Sequence, residues 1–190
     1  MVLHNTCDEN AVKHDGQHTD SMKIGFAPIV GENPEILILG TMPGNKSLGT
    51  GEYYASHTNS FWKIMEQIYN EGKKFQNYNE KVECLATNKL ALWDLARQCE
   101  RKGSADKNMK NVVFNDLVGF LKEHPTIDLL VFNGKIKGKN FFKALNKKSK
   151  ICKYCETAPS SSGMNRMSFE KKLEGWKEAL AYKKLQCNPL

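Results

Sequence analysis

Two polar strings in this 190-residue chain hold residue types that could do chemistry. Gly40-Thr-Met-Pro-Gly-Asn-Lys-Ser47 follows an apolar run and offers small residues with open backbone amides, the groups that cradle an anion. A nucleotide phosphate loop would place a second glycine where Asn45 stands. Pro43 also removes an amide, and no helix is expected to begin at Ser47. A P-loop-like nucleotide-binding protein is therefore only a minor alternative. The second string, Ala158-Pro-Ser-Ser-Ser-Gly-Met-Asn-Arg166, combines hydroxyls, a glycine amide, an apolar side chain and a cation. Such a set suits close contact with a phosphate backbone. Cys152-Lys-Tyr-Cys155 has metal or redox spacing, but structural zinc takes four ligands and no second pair follows. No metal is assigned.

Single residues between the strings have two readings each. Tyr54, in a loop between Gly51 and Ser56, is either a core aromatic or a platform for a flat ligand. Asn59 precedes the amphipathic run Phe61–Tyr69, where it can cap a helix or present its amide to a substrate. His57 could contact a phosphate or a bound base, or face solvent, and Asp94 ends an apolar run as a structural cap or a site residue.

Taken together, the strings resemble a known family. Gly40-Thr-Met-Pro-Gly44, Ser47-Leu48, Tyr53-Tyr54-Ala55 and Asn59-Ser-Phe-Trp62 resemble the first motif of the uracil-DNA glycosylase superfamily. The likeness is nearest to its hypoxanthine (deoxyinosine) and mismatch-specific uracil branches. Ala158 to Arg166, followed by Met167-Ser-Phe-Glu, looks like the second motif. Leu92-Trp-Asp94 and Cys99-Glu-Arg-Lys-Gly-Ser104 with Asp106 resemble a stretch of the hypoxanthine branch, so the likeness runs from Met22 to Leu185.

The resemblance implies a three-layer α/β/α fold with a central, mostly parallel sheet. It implies a monofunctional DNA N-glycosylase that flips out a deaminated base, hypoxanthine and/or uracil, and hydrolyses its N-glycosidic bond with water. Asn59 would be catalytic. Gly40, Thr41, Met42 and Pro43 would form the pocket floor, Tyr54 would stack on the base and Ser160 would stand at its edge. Ser47, Arg101, Lys102, Ser161, Ser162, Gly163 and Arg166 would handle DNA, with Met164 as the apolar wedge. No cofactor is implied, since water and protein dipoles suffice, and the six cysteines do not reproduce the iron–sulfur branches. Three departures stand out: Met42 replaces a water-orienting asparagine, Ser56-His-Thr58 replaces His-Pro-x, and Ser160 replaces a base-holding asparagine. They keep open a nucleic-acid-binding relative with weakened catalysis.

Positioning these loops requires rigid elements. Ile36-Leu-Ile-Leu39 and Ile127 to Phe132 lack alternation and read as strands buried on both faces. Leu90–Trp93 is a third apolar run, Ile151 to Ala158 a weak strand, and Lys23 to Val30 a short apolar run before the turn at Gly31–Pro34. Helical spacing marks Phe61–Tyr69, Asn115–Glu123, the basic stretch Lys139–Asn146 and the closing segment Ser168–Leu185. Strands alternating with helices give an α/β sheet whose ligand site lies at the strands' carboxyl ends.

Composition agrees with one such domain, expected over 22–190 behind a disordered arm at 1–21. No run is long and apolar enough for a membrane span, and the first residues lack the apolar core of a secretory signal. A reduced, cytoplasmic monomer is expected. The chain carries +7 at neutral pH, with eight lysines and no acid between Lys135 and Lys153. That field is either a solvated face or a footprint for a polyanion such as DNA.

Overall fold

This computed structural model describes residues 21–134 and 154–186, with side chains to residue 181. The arm over 1–20, the basic segment Lys139–Asn146 with its flanking lysines, and Cys152 lie outside the described residues.

The chain runs β1 (Ser21–Ile24), β2 (Ile36–Gly40), α1 (Asn45–Thr50), α2 (Phe61–Tyr69), α3 (Tyr78–Thr87), β3 (Leu90–Asp94) and β4 (Ala96–Arg101). It continues with a 3₁₀ turn (Asp106–Asn108), β5 (Met109–Phe114), α4 (Leu117–Glu123), β6 (Leu129–Asn133), β7 (Tyr154–Ala158) and α5 (Phe169–Gln186). The central sheet has the order β3-β2-β6-β7, every neighbour parallel. The expected three-layer α/β/α architecture is the one observed.

The absence of alternation in Ile36–Leu39 follows from burial on both sides. Ile38, with Leu92 and Val131, packs under α2 and α5 through Phe61, Ile64, Met65 and Trp176. Leu37 and Leu39, with Leu130 and Phe132, pack under α4 through Leu117, Phe120 and Leu121. Helix α2 spans the expected residues, and α4 starts two residues later than expected because Asp116 caps it, accepting from Gly119 N–H at 2.9 Å.

Three elements differ from the sequence expectation. Helix α1 interrupts what reads as one long loop and ends at Gly51, whose φ of 73° suits a glycine C-cap. Helix α3 buries only Leu85 fully, so its apolar signal is faint. A second sheet, antiparallel in the order β1-β4-β5, leans on the loop after β2 through Met42, Ala96 and Cys99. Its strands carry charges on exposed faces, which hides them from an apolar-run search.

Candidate active site

The registers of the parallel sheet set one row of residues at its carboxyl edge. Gly40 pairs with Asp94, Leu39 with Phe132 one position before Asn133, and Asn133 with Ala158. Because side chains alternate along a strand, Asp94, Gly40, Asn133 and Ala158 all belong to the α2/α5 face. The row below on that face is apolar across the three central positions, Leu92, Ile38 and Val131, with Glu156 beside Val131 on the edge strand β7. On β3 and β6 polar side chains therefore begin one step above the core, at Asp94 and Asn133, the last residue of each strand.

Gly40 is the gap in this row. A Cβ there would collide with Asp94 Oδ1 and lie 2.9 Å from Tyr54 Oη, so only glycine lets both groups come across the strand end. The Gly40 and Thr41 carbonyls accept from Leu95 N–H at 3.0 Å and Ala96 N–H at 2.9 Å, which ties the floor loop to the β3–β4 link. Arg101, 1% exposed, reaches from β4 to donate through Nη2 to the Pro43 carbonyl, with Asp106 at 3.7 Å from its Nη1. Asp106 in turn bonds the Thr41 side chain.

Tyr54 holds a φ of 54°, a left-handed conformation that a bulky side chain adopts only under constraint. The constraints are visible on either side. Ala55 N–H donates to Ser47 Oγ at 3.1 Å, and the Tyr53 carbonyl accepts from Trp62 Nε1 at 2.7 Å. One face of the Tyr54 ring lies on Phe61, centroids 4.2 Å apart at 30°. Its hydroxyl is buried without a well-formed hydrogen bond; the neighbouring Asn133 amide opposes, but does not outweigh, the burial and Asp94 charge that hold the phenol protonated. Asp94 Oδ2 is also buried and has no hydrogen-bond partner among the described residues. Burial, reinforced by the Asp106 charge and opposed by Arg101, lifts the Asp94 carboxyl to about 7.

Asn59 sits at the entrance to α2, where Oδ1 accepts from Phe61 N–H at 3.0 Å. The amide thus does cap the helix end, with its Nδ2 unbonded among the described residues. It also lines a groove of about 420 Å³ bordered by Tyr54, His57, Lys63 and Phe75.

The serine-rich loop is built onto Asn133. Ser161 N–H donates to Asn133 Oδ1 at 2.8 Å, and Asn133 Nδ2 returns a bond to Ser161 Oγ at 2.8 Å. The Ser161 carbonyl accepts from both Ser60 N–H and Ser60 Oγ, at 2.9 and 3.1 Å. Asn165 Nδ2 donates to the Ser160 carbonyl, and the buried Lys172 ammonium donates to the Ser162 carbonyl. A Cβ on Gly163 would meet Thr58 at 2.7 Å, so the two loops touch directly. Met164 stands out at 90% exposure on this otherwise pinned loop, with Arg166 exposed beside it.

The structure therefore gathers Gly40, Tyr54, Asn59 and the Ser160–Met164 loop around one end of the sheet. It places several expected contacts elsewhere. Arg101 and Ser161 are buried and engaged with Pro43 and Asn133, so neither side chain presents itself to a phosphate. Ser47 is buried beneath Ala55, and the Met42 side chain faces the small sheet, leaving only its backbone to the floor. Lys102 and Ser162 remain accessible. Asn133 was missed as a site residue, although a polar residue closing the apolar run Leu129–Phe132 is the signal that marks it.

The model of the Uracil DNA glycosylase superfamily matches residues 27–186, nearly the whole described chain. The chain belongs to the uracil DNA glycosylase superfamily. Within this superfamily it is 36% identical over 159 residues to a hypoxanthine DNA glycosylase of Methanosarcina barkeri, covering 83% of this chain and 97% of that protein. A hypoxanthine DNA glycosylase of Methanosarcina acetivorans is 31% identical over 157 residues, covering 82% and 96%. A solution NMR structure of a uracil DNA glycosylase candidate from Methanosarcina acetivorans superposes with a TM-score of 0.73 at 29% identity, covering 86% of this chain and 99% of its own. No helix among the described residues is long and apolar enough to cross a membrane.

Proposed function

We propose that this superfamily member is a monofunctional DNA glycosylase that releases hypoxanthine, and secondarily uracil, from DNA by hydrolysis, acting as a monomer through one catalytic unit over 22–190. The observation that carries the reading is the polar row Asp94–Gly40–Asn133 closed over by two loops of opposite character. One holds an aromatic platform and an amide; the other holds serines, a glycine and an exposed methionine. Names of relatives at 31–36% identity favour hypoxanthine as the base.

An extruded base needs a flat contact, edge partners and stabilisation of the charge it carries away. Tyr54 supplies the contact. The Asn59 oxygen already accepts one N–H, and its second lone pair and free NH₂ remain for water or the base edge. The amide is a weak base, so it orients water and stabilises the leaving group instead of abstracting a proton. Met164 enters the gap left in the duplex, while Ser162, Arg166 and Lys102 meet the backbone.

An oligonucleotide with one deoxyinosine or deoxyuridine becomes alkali-labile after incubation with the protein, and Asn59→Ala slows release by at least ~100-fold. Because the substitution also removes a cap worth ~1 kcal/mol, its folding is checked by melting. Wild-type inactivity on both bases, single- and double-stranded, overturns the reading. Binding without base release identifies a relative that has lost catalysis.

A further inference from the structure

We infer that Asp94 is the general acid of the reaction, delivering a proton to N7 of the departing hypoxanthine. The assignment rests on the glycosylase reading above and adds a residue and a step to it.

The placement argues first. Asp94 closes β3 in the same lateral row as Gly40 and Asn133, one step above an apolar layer. Its carboxyl leans across Gly40, where any side chain would displace it, and lies beside the Tyr54 hydroxyl. Only 3% of the residue is exposed, and Oδ2 has no partner among the described residues. A structural cap would spend its oxygens on backbone amides, as Asp116 does at α4. Among the described residues nothing donates to the Asp94 carboxyl, while its backbone carbonyl accepts from Asn115 Nδ2 at 2.8 Å. A buried, unpartnered carboxyl beside the base platform is a group kept for a ligand.

The chemistry argues second. A purine leaves C1′ with the bonding pair on N9, and an ionised carboxylate at the pocket floor would repel that charge. A neutral acid instead donates to N7, the most basic ring nitrogen of the nucleoside base. The C1′–N9 bond breaks, its electron pair stays on the purine, and the Asp94 proton makes the base neutral hypoxanthine. Water then bonds to C1′, and its surplus proton restores the Asp94 acid. Nothing beyond substrate and water enters the balance.

The surroundings hold the acid form available near neutrality. Tyr53 and Tyr54 face it from the α1–α2 loop, Arg101 from β4 and Asp106 from the 3₁₀ turn. Asp106 and burial favour the neutral acid, and Arg101 keeps it from becoming too weak to release its proton. Tyr54, pushed far above its ordinary phenol range, is the poorer donor of the two.

The test is single-turnover release of hypoxanthine from a deoxyinosine duplex by wild type and Asp94→Asn, between about pH 6 and pH 9. Wild type slows as pH rises through about 7, whereas Asp94→Asn is flat across that interval. The ratio of the two rates is at least ~100 at the acid end and shrinks toward the alkaline end. A ratio independent of pH makes Asp94 structural and overturns the assignment. If the variant does not fold, wild type alone decides: a normal solvent deuterium isotope effect on the single-turnover rate supports a proton in flight, and its absence overturns one. A wild type inert toward deoxyinosine at every pH overturns the glycosylase reading itself, which separates the two failures.

Discussion

Replacing Asp94 by asparagine should stabilise the protein, and increasingly so toward alkaline pH. The gap between an ordinary carboxyl at 3.8 and about 7 in the fold corresponds to ~4 kcal/mol against ionisation, an upper value because side chains and water relax around a buried charge. The sign follows from proton binding. Between those two values the native state holds more proton than the unfolded chain, so wild-type stability is fully present at acid pH, falls as pH rises and levels off above about 7. Asparagine does not titrate and keeps the shape, so it escapes that loss while contributing only a constant offset of its own. The variant's advantage over wild type should therefore grow by ~1 kcal/mol between about pH 4 and pH 5 and approach ~4 kcal/mol by pH 8, equivalent to ~10 °C in Tm. Paired denaturant and thermal melts of the two proteins across pH 4 to 9 make the comparison. A difference that stays constant with pH, or grows toward acid, refutes a neutral buried carboxyl. Together with the activity loss expected above, this would be a site residue held at a cost to stability.

Gly40→Ala should abolish base release while the core beneath persists, because its Cβ displaces Asp94 and Tyr54 but leaves Ile38 and Leu39 in place; the check is activity beside a circular dichroism spectrum. Met164→Ala should leave unfolding stability within about 0.5 kcal/mol of wild type, since the side chain is 90% exposed, yet slow release from duplex by about tenfold or more and from single strands far less. Arg101→Met should lower activity by loosening the Pro43 carbonyl while leaving the salt dependence of DNA binding unchanged, because the guanidinium faces the floor loop and not solvent; a shallower salt slope in titrations would refute that placement.

Much of the central sheet could be read from runs such as Ile36–Leu39, since a strand buried on both faces leaves an unbroken apolar signature. The closing helix was equally plain, with Trp176 and Leu180 seated in the core at their expected spacing. The small antiparallel sheet was not, because strands with one solvated face, such as Met109–Phe114, alternate with lysine and asparagine and resemble loop. The candidate site was legible where backbone need dictates residue type, as at Gly40 and Gly163. It was misleading where residue type alone suggested a DNA contact. Arg101 and Ser161 are polar, yet one braces the floor and the other clasps Asn133, and only tertiary pairing distinguishes bracing from binding.

The direct seating of Gly163 against Thr58, joined by the bonds from Ser60 to Ser161, couples the loop carrying Met164 to the loop carrying Asn59 as a single lever. Under the proposed function, force applied at Met164 by a stacked helix would be delivered one residue from Asn59, without passing through the sheet. On the same reading, opening the duplex and seating the base would be one mechanical stroke, and an undamaged nucleotide entering only partway would leave the Asn59 amide out of line. Discrimination would then depend on completing the stroke as well as on the chemistry of the base.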